Sequence, residues 1–132
     1  MTALDIYNKS FVLLGEVNGD GETQPDTAVF KRSAVELINI LLMITDETDR
    51  KIKGDKPGAF DHMPQQISSL NDTLYIHPRL ASAAIPLGLC FFLVHEENEE
   101  KGARFYKLFY DELNALEKAY KKGKIRTTKK LY

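Results

Sequence analysis

The chain has 132 residues, of which 43% are hydrophobic and 28% charged, and its formal net charge is −1. These values are ordinary for a soluble globular protein, so they exclude a chain that is disordered throughout and predict one domain with a sizeable core. The single cysteine, Cys90, excludes an intrachain disulfide and fits a reducing compartment.

No targeting or membrane segment is indicated. The N-terminus has no basic lead before an apolar stretch, as a secretory signal would have. The longest apolar run, 80–94, is too short to span a bilayer and is interrupted by Pro86 and Gly88. We therefore expect a cytosolic chain without membrane association.

The first helix is predicted over 3–14. Thr2 can cap it, with Asp5 as the acid of a capping box, and Gly15 is placed to stop it. The loop that follows superficially looks like a calcium loop. However, Thr27 stands where a bidentate glutamate is needed, which favours a plain turn.

The second helix is predicted over 27–46, with Asp26 as its N-cap and a broad apolar face. Charges, glycines and prolines then predict an exposed connection over 47–66, with room for a helical turn at its start. This connection is long for a compact domain, which is a hint of a partner-facing loop, but a plain solvated loop is the favoured interpretation. A short extended segment is predicted over 73–77. The outer face of the second helix would carry Lys31, Arg32, Glu36 and Asn39.

A helical hairpin over 80–120 is the predicted frame of the fold. Its first helix, 79–95, is apolar on all sides and therefore central, and Pro86 should kink or divide it near Ala84–Ile85. An acidic turn follows, and Asn98 can cap a last amphipathic helix over 98–121. The fold class is thus an all-α, single-domain bundle of about four principal helices. The predicted core includes Phe11, Leu37, Leu41, Leu89, Phe92, Phe109 and Leu113.

No constellation of residues indicates catalysis, a metal or a cofactor. The histidines, His62, His77 and His95, form no pair at helical ligand spacing. The serines lack the glycines of a nucleophile elbow, and no glycine-rich phosphate loop is present. Cys90 lies in an apolar run, which favours a buried structural thiol over a nucleophile.

The C-terminal segment is the strongest charge feature, with seven basic residues against one acid over 117–132. We treat residues 1–121 as a helical domain and 122–132 as a basic tail. The tail either keeps the chain soluble or attaches it to an acidic partner or to nucleic-acid phosphates. Its aromatic residues are too few for a base-stacking platform, which favours a protein partner. The candidate partner-binding residues are Lys118, Lys121, Lys122, Lys124, Arg126, Lys129 and Lys130.

The order of these segments resembles the small helical head–tail connector (adaptor, or neck) proteins of tailed bacteriophages and prophages. The resemblance covers roughly residues 3–120 and is carried mainly by packing patterns. One departure is Gly88-Leu89-Cys90, where such proteins often have leucine-alanine. The matching elements are Leu14-Gly15, Phe30-Lys31-Arg32-Ser33-Ala34 with Leu37-Ile38-Asn39, the run 67–74, Ile85-Pro86-Leu87-Gly88-Leu89 with Glu96-Glu97-Asn98, and Phe105-Tyr106 with Tyr110.

The resemblance implies a non-enzymatic structural protein that forms a homo-oligomeric ring beneath the portal and joins portal to tail. It implies contact with the portal protein and with neighbouring copies, non-specific contact with DNA in the channel, and terminal arms that dock on neighbours. The chain would lie in the host cytoplasm before assembly and at the virion neck afterwards. Two alternatives remain: a helical binding or regulatory module that grips an acidic partner through the basic tail, and a small enzyme.

Overall fold

The computed structural model describes residues 1–18, 27–53 and 63–121, and these form an all-α bundle with four α-helices, as predicted. A π-helical turn, Leu80–Ala84, leads directly into the third helix. This third helix is central and packs against the other three. The helices are α1 (Ala3–Asn18), α2 (Thr27–Lys53), α3 (Ile85–Val94) and α4 (Glu99–Lys121).

The start of α1 is held by its predicted capping box. The Thr2 backbone N–H donates to Asp5 Oδ2 at 3.0 Å, and the Asp5 N–H donates to Thr2 Oγ1 at 3.2 Å. Two further N–H groups of the first turn donate to the carbonyls of Leu70 and Asp72, at 2.7 and 2.9 Å. The donors at this helix end are therefore satisfied by a segment distant in sequence.

The extended segment predicted over 73–77 is not a strand among the described residues. Only an isolated antiparallel bridge between Thr2 and Thr73 forms there. The predicted end of α1 is wrong, because the helix continues through Gly15 to Asn18. Glycine permits a helix stop without requiring one, and its cost inside a helix is only about 1 kcal/mol.

The predicted connection over 47–66 is wrong over its first seven residues, because α2 runs on to Lys53. Thr48, Asp49 and Ile52 lie on the buried face of this extension, and Thr45 precedes them on the same face. Their polar groups are satisfied internally: Thr45 Oγ1 donates to the Leu41 carbonyl at 2.8 Å, and Asp49 Oδ1 accepts the His77 N–H at 2.9 Å. Polar side chains on an inner face look like a loop in sequence, which explains the error.

The helix predicted over 79–95 changes its geometry at the predicted place. Leu80–Ala84 is π-helical, and α3 begins at Ile85 with Pro86 in its first turn. Proline has no N–H and its ring clashes with the preceding turn, so it disfavours an uninterrupted α-helix. The carbonyl of Ser82, four residues before Pro86, receives no N–H from the proline, and Lys9 Nζ of α1 donates to it instead.

Four of the seven predicted core residues are buried: Leu41, Leu89, Phe109 and Leu113. The other three, Phe11, Leu37 and Phe92, are half-buried. Helical periodicity assigns a residue to the inner face of its helix, but the position of the neighbouring helices decides whether that residue is covered. None of the helices in the described ranges is long and apolar enough to cross a membrane.

Candidate protein-binding surface

An apolar groove opens between α2 and α4, with α3 as its floor; we call it the aromatic groove. Its recess has a volume of about 60 Å³. That is room for several water molecules or for one apolar side chain, and the lining offers water few polar partners. The groove is lined by Leu41, Ile44, Gly88, Phe91, Phe92, Tyr106, Phe109 and Tyr110.

Gly88 allows the three helices to meet closely beneath the groove. A Cβ atom at this position would fall inside the contact distance of Leu41 Cδ2 and 3.2 Å from two ring atoms of Phe109. The floor at this point is therefore formed by backbone, and a side chain here would force the Leu41 side chain and the Phe109 ring to move.

The groove wall on α4 is a continuous set of ring contacts. Phe91 meets Tyr106 edge to face at 5.3 Å between ring centroids, and Tyr106 meets Tyr110 at 4.8 Å. Tyr110 also contacts Phe109, at 5.0 Å. Partial burial, followed by a hydrogen bond with Tyr106, raises the pKa of Tyr110. The rings hold one another in place, so the wall is ordered before any partner arrives.

The same rings are unusually accessible for their size. Tyr106 is 49% exposed and Tyr110 38%, and across the groove Ile44 is 40% exposed. Ile40, one turn before Ile44 on the same face of α2, is also exposed. Single exposed apolar residues are common on protein surfaces, whereas exposed apolar side chains that lie next to one another are typical of an interaction site.

A second recess adjoins the groove at the turn between α3 and α4; we call it the acidic recess. It has a volume of about 300 Å³ and is lined by Ser33 and Leu37 of α2, by Phe92 and Leu93 of α3, and by His95, Glu96 and Glu97 of the turn. Phe92 lines both recesses. The two therefore form one continuous surface, apolar at one end and acidic at the other.

His95 and Gly102 hold the turn in this position. His95 Nδ1 donates to the Phe91 carbonyl at 3.1 Å, and the imidazole stacks on the Phe91 ring at 4.8 Å. Gly102 lies so close that a Cβ atom there would be 2.8 Å from His95 Cα. Asn98 Oδ1 accepts the Lys101 N–H at 3.1 Å, which confirms Asn98 as the cap of α4.

Two of the seven predicted partner-binding residues lie in the part of the chain that the structure describes. Lys118 and Lys121 are exposed in the last turn of α4. Glu117, the only acid of this basic segment, is bound by Lys51 of α2 at 3.1 Å. The prediction for Lys122, Lys124, Arg126, Lys129 and Lys130 lies outside the described residues, as does that for the tail as a whole.

The described histidines serve the fold. His77 Nδ1 accepts the Arg79 N–H at 3.1 Å, and His95 holds the turn as stated above. His62 lies outside the described residues. Over 1–18, 27–53 and 63–121, no three His, Cys, Asp or Glu residues group in a way that could hold a metal ion.

Sequence reasoning did not find the groove, although it named several of its residues. Tyr106 and Tyr110 stand on the flank of the predicted α4 stripe, and Ile44 belongs to the broad apolar face of α2. The signal was an apolar face wider than one helix contact requires. Comparison of the chain with protein-family models, curated proteins and solved structures gave no match.

Proposed function

We propose that this protein is a non-enzymatic structural subunit of the head–tail connector of a tailed bacteriophage or prophage. In this role it joins portal to tail as part of a ring, at the virion neck after assembly and in the host cytoplasm before it. The observation that carries the proposal is the joined aromatic groove and acidic recess on an all-α body. Such a surface supports a function in protein contacts, and the order of helices supports the connector assignment.

The surface has the composition of a protein interface. Tyrosine and phenylalanine are enriched at the centre of interfaces, because each ring buries a large area at a small cost in side-chain entropy. Covering Ile44, Tyr106 and Tyr110 would remove apolar surface from water at about 25 cal/mol per Å². The acidic recess would then select a partner with basic groups and disfavour an acidic one.

A ring requires that different faces of neighbouring subunits meet. An acidic recess on the body and a basic segment at the far end of α4 are two such different faces. Heterologous contacts of this kind close into a ring when the rotation between subunits permits it. Lys118 and Lys121, with the basic residues after them, would also attract the phosphates of DNA that passes through the ring.

The proposal is tested on particles. The gene is deleted from the phage or prophage, and particles from the deletion and complemented strains are compared by electron microscopy and mass spectrometry. We expect the chain in complete particles, and filled heads without joined tails in its absence. Complete tailed particles from the deletion strain, with the chain absent from wild-type particles, would refute the connector assignment.

A second candidate is a helical binding or regulatory module that grips an acidic partner through the basic tail. The exposure of Lys118 and Lys121 at the end of α4 favours it. Replacing both with Glu should then abolish capture of an acidic cellular protein that wild-type chain retains. A connector subunit would instead retain portal protein, or further copies of itself, from a lysate of infected cells.

A further inference from the structure

The aromatic groove and the acidic recess follow one another along α2. Ser33 and Leu37 line the acidic recess, and Leu41 and Ile44 line the groove. The four residues cover eleven helical steps, or about 17 Å at the helical rise. A segment laid along α2 would therefore need an apolar side chain for one end and basic side chains for the other, separated by about five extended residues.

Residues 124–132 of this chain have that composition. They contain Lys124, Arg126, Lys129 and Lys130 and no Asp or Glu, and Ile125 and Leu131 are apolar residues on either side of the last three basic ones. Ile125 precedes Lys129 by four residues, close to the separation that the surface requires. We propose that residues 124–132 of a second copy bind here, with an apolar side chain in the aromatic groove and basic side chains at Glu96 and Glu97.

Reach favours a second copy over the same chain. The acidic recess lies just before Glu99, and α4 extends from Glu99 to Lys121, which is about 33 Å at the helical rise. Arg126, five residues beyond Lys121, can extend at most about 18 Å from it. The Lys130 backbone reaches about 32 Å only if the chain is straight, which leaves little length for the reversal at the end of α4. The neighbour's segment has no such restriction.

This inference deepens the proposed function and rests on it for the expectation that copies meet in the cell. It assigns the contact to specific residues and makes it heterologous, because the segment of one copy occupies the surface of the next. Exposed ion pairs are individually weak and screened by salt. Association should therefore weaken as the salt concentration rises, and should also depend on the apolar contact at Ile44.

A charge swap between two full-length variants tests the contact. The recess variant carries Glu96→Lys and Glu97→Lys, and the segment variant carries Lys129→Glu and Lys130→Glu. Each alone places like charges together, whereas a mixture offers each segment a recess of opposite charge. Association is measured by analytical ultracentrifugation. A control with Glu99→Lys and Glu100→Lys makes the same charge change at exposed residues that do not line the recess.

The apolar contact is tested with a labelled peptide of residues 122–132, followed by fluorescence anisotropy on the full-length segment variant. Adding Ile44→Ser to that variant should weaken peptide binding at least about tenfold. The matched control adds Met43→Ser instead, because Met43 is 60% exposed and does not line the groove. Circular dichroism confirms that each variant is folded.

We expect the recess variant and the segment variant each to be monomeric alone and to associate when they are mixed. The control variants should behave as the wild type. If wild-type chain itself stays monomeric in dilute solution, the peptide measurement decides. Two results would overturn the proposal. One is that the mixture does not associate and the peptide does not bind; the other is that the peptide binds equally to the Ile44→Ser and Met43→Ser proteins. If the protein is nevertheless found at the neck of particles, the connector role would hold and only this contact between copies would be refuted. Restored association, with the chain absent from particles, would refute only the connector role.

Discussion

The Asn39 side chain of α2 hydrogen-bonds both backbone groups of Ile67, 28 residues away in sequence. The Ile67 N–H donates to Asn39 Oδ1 at 2.7 Å, and Asn39 Nδ2 donates to the Ile67 carbonyl at 3.0 Å. The amide side chain thus makes the two backbone hydrogen bonds that a neighbouring strand would make in a sheet. It fixes the segment at Ile67, which leads to the residues that contact the start of α1. The sequence prediction placed Asn39 on the outer face of its helix, which is wrong.

Asn39→Ala should destabilise the protein by about 1–3 kcal/mol, because it leaves the partly buried N–H and C=O of Ile67 without partners. Asn114→Ala on the exposed face of α4 is the control, and should change stability little or raise it slightly through helix propensity. Urea denaturation of the three proteins measures the difference. Equal stability of Asn39→Ala and wild type would show that water replaces the side chain without cost.

Replacing two of the glycines with alanine should change the stability of the protein in opposite directions. Nothing lies within 4 Å of a Cβ atom at Gly15 inside α1, so Gly15→Ala should stabilise by about 0.5–1 kcal/mol. A Cβ atom at Gly102 would be 2.8 Å from both Cα and Cβ of His95, so Gly102→Ala should destabilise by about 1–3 kcal/mol. The melting temperature of each variant measures the effect. A higher melting temperature for Gly102→Ala would contradict the close approach of α4 to the turn.

His77 should make the protein less stable below about pH 6.5. Burial lowers its pKa from 6.5, Asp49 opposes this and Arg79 adds to it. The unfolded chain then binds more protons than the folded one, so this contribution is complete above pH 6.5 and is lost as pH falls through the lowered pKa. His77→Asn keeps an acceptor near the Arg79 N–H and should flatten the dependence of stability on pH just below pH 6.5. An unchanged pH profile would assign the titration to another group.

Asp5 and Asp72 affect the stability of the protein in a separate, more acidic pH range. Backbone hydrogen bonds from Thr2 and Ser68, respectively, lower the pKa of each carboxyl from 3.8. Their contribution is present above that value and is lost as pH falls below it. The two ranges can therefore be distinguished in one pH series of denaturation curves.

Cys90 should be inert in the folded protein. Burial raises its pKa to about 12, and the thiol donates to the Ser10 carbonyl at 3.3 Å. A thiol reagent that requires the thiolate should react in denaturant and hardly at all in buffer at neutral pH. Because the unfolded thiol has a pKa near 9.0, the folded state should also lose stability above that pH. Rapid modification of the native chain would mean that α3 opens readily.

Local signals predicted the helices well where one residue and its near neighbours decide the structure. The capping box of Thr2 and Asp5 and the Asn98 cap are confirmed. The same reasoning failed for 47–53, because the buried Asp49 is satisfied by the N–H of His77, 28 residues away, and such a partner cannot be inferred from a window of sequence. The aromatic groove and the acidic recess were not predicted, and five of the seven basic residues that were predicted to bind a partner lie outside the described part of the chain.

What the sequence by itself determined was the all-α class, the order of the four helices and the central place of the apolar third helix. These follow from periodicity, capping and composition, which act over a few residues. Only the tertiary structure decided that Ile44 of α2 faces Tyr106 and Tyr110 of α4 across a groove, and that Phe92 joins this groove to Glu96 and Glu97. The physical reason is that periodicity shows which side of a helix is apolar, whereas the packing of the other helices decides how much of that side remains uncovered.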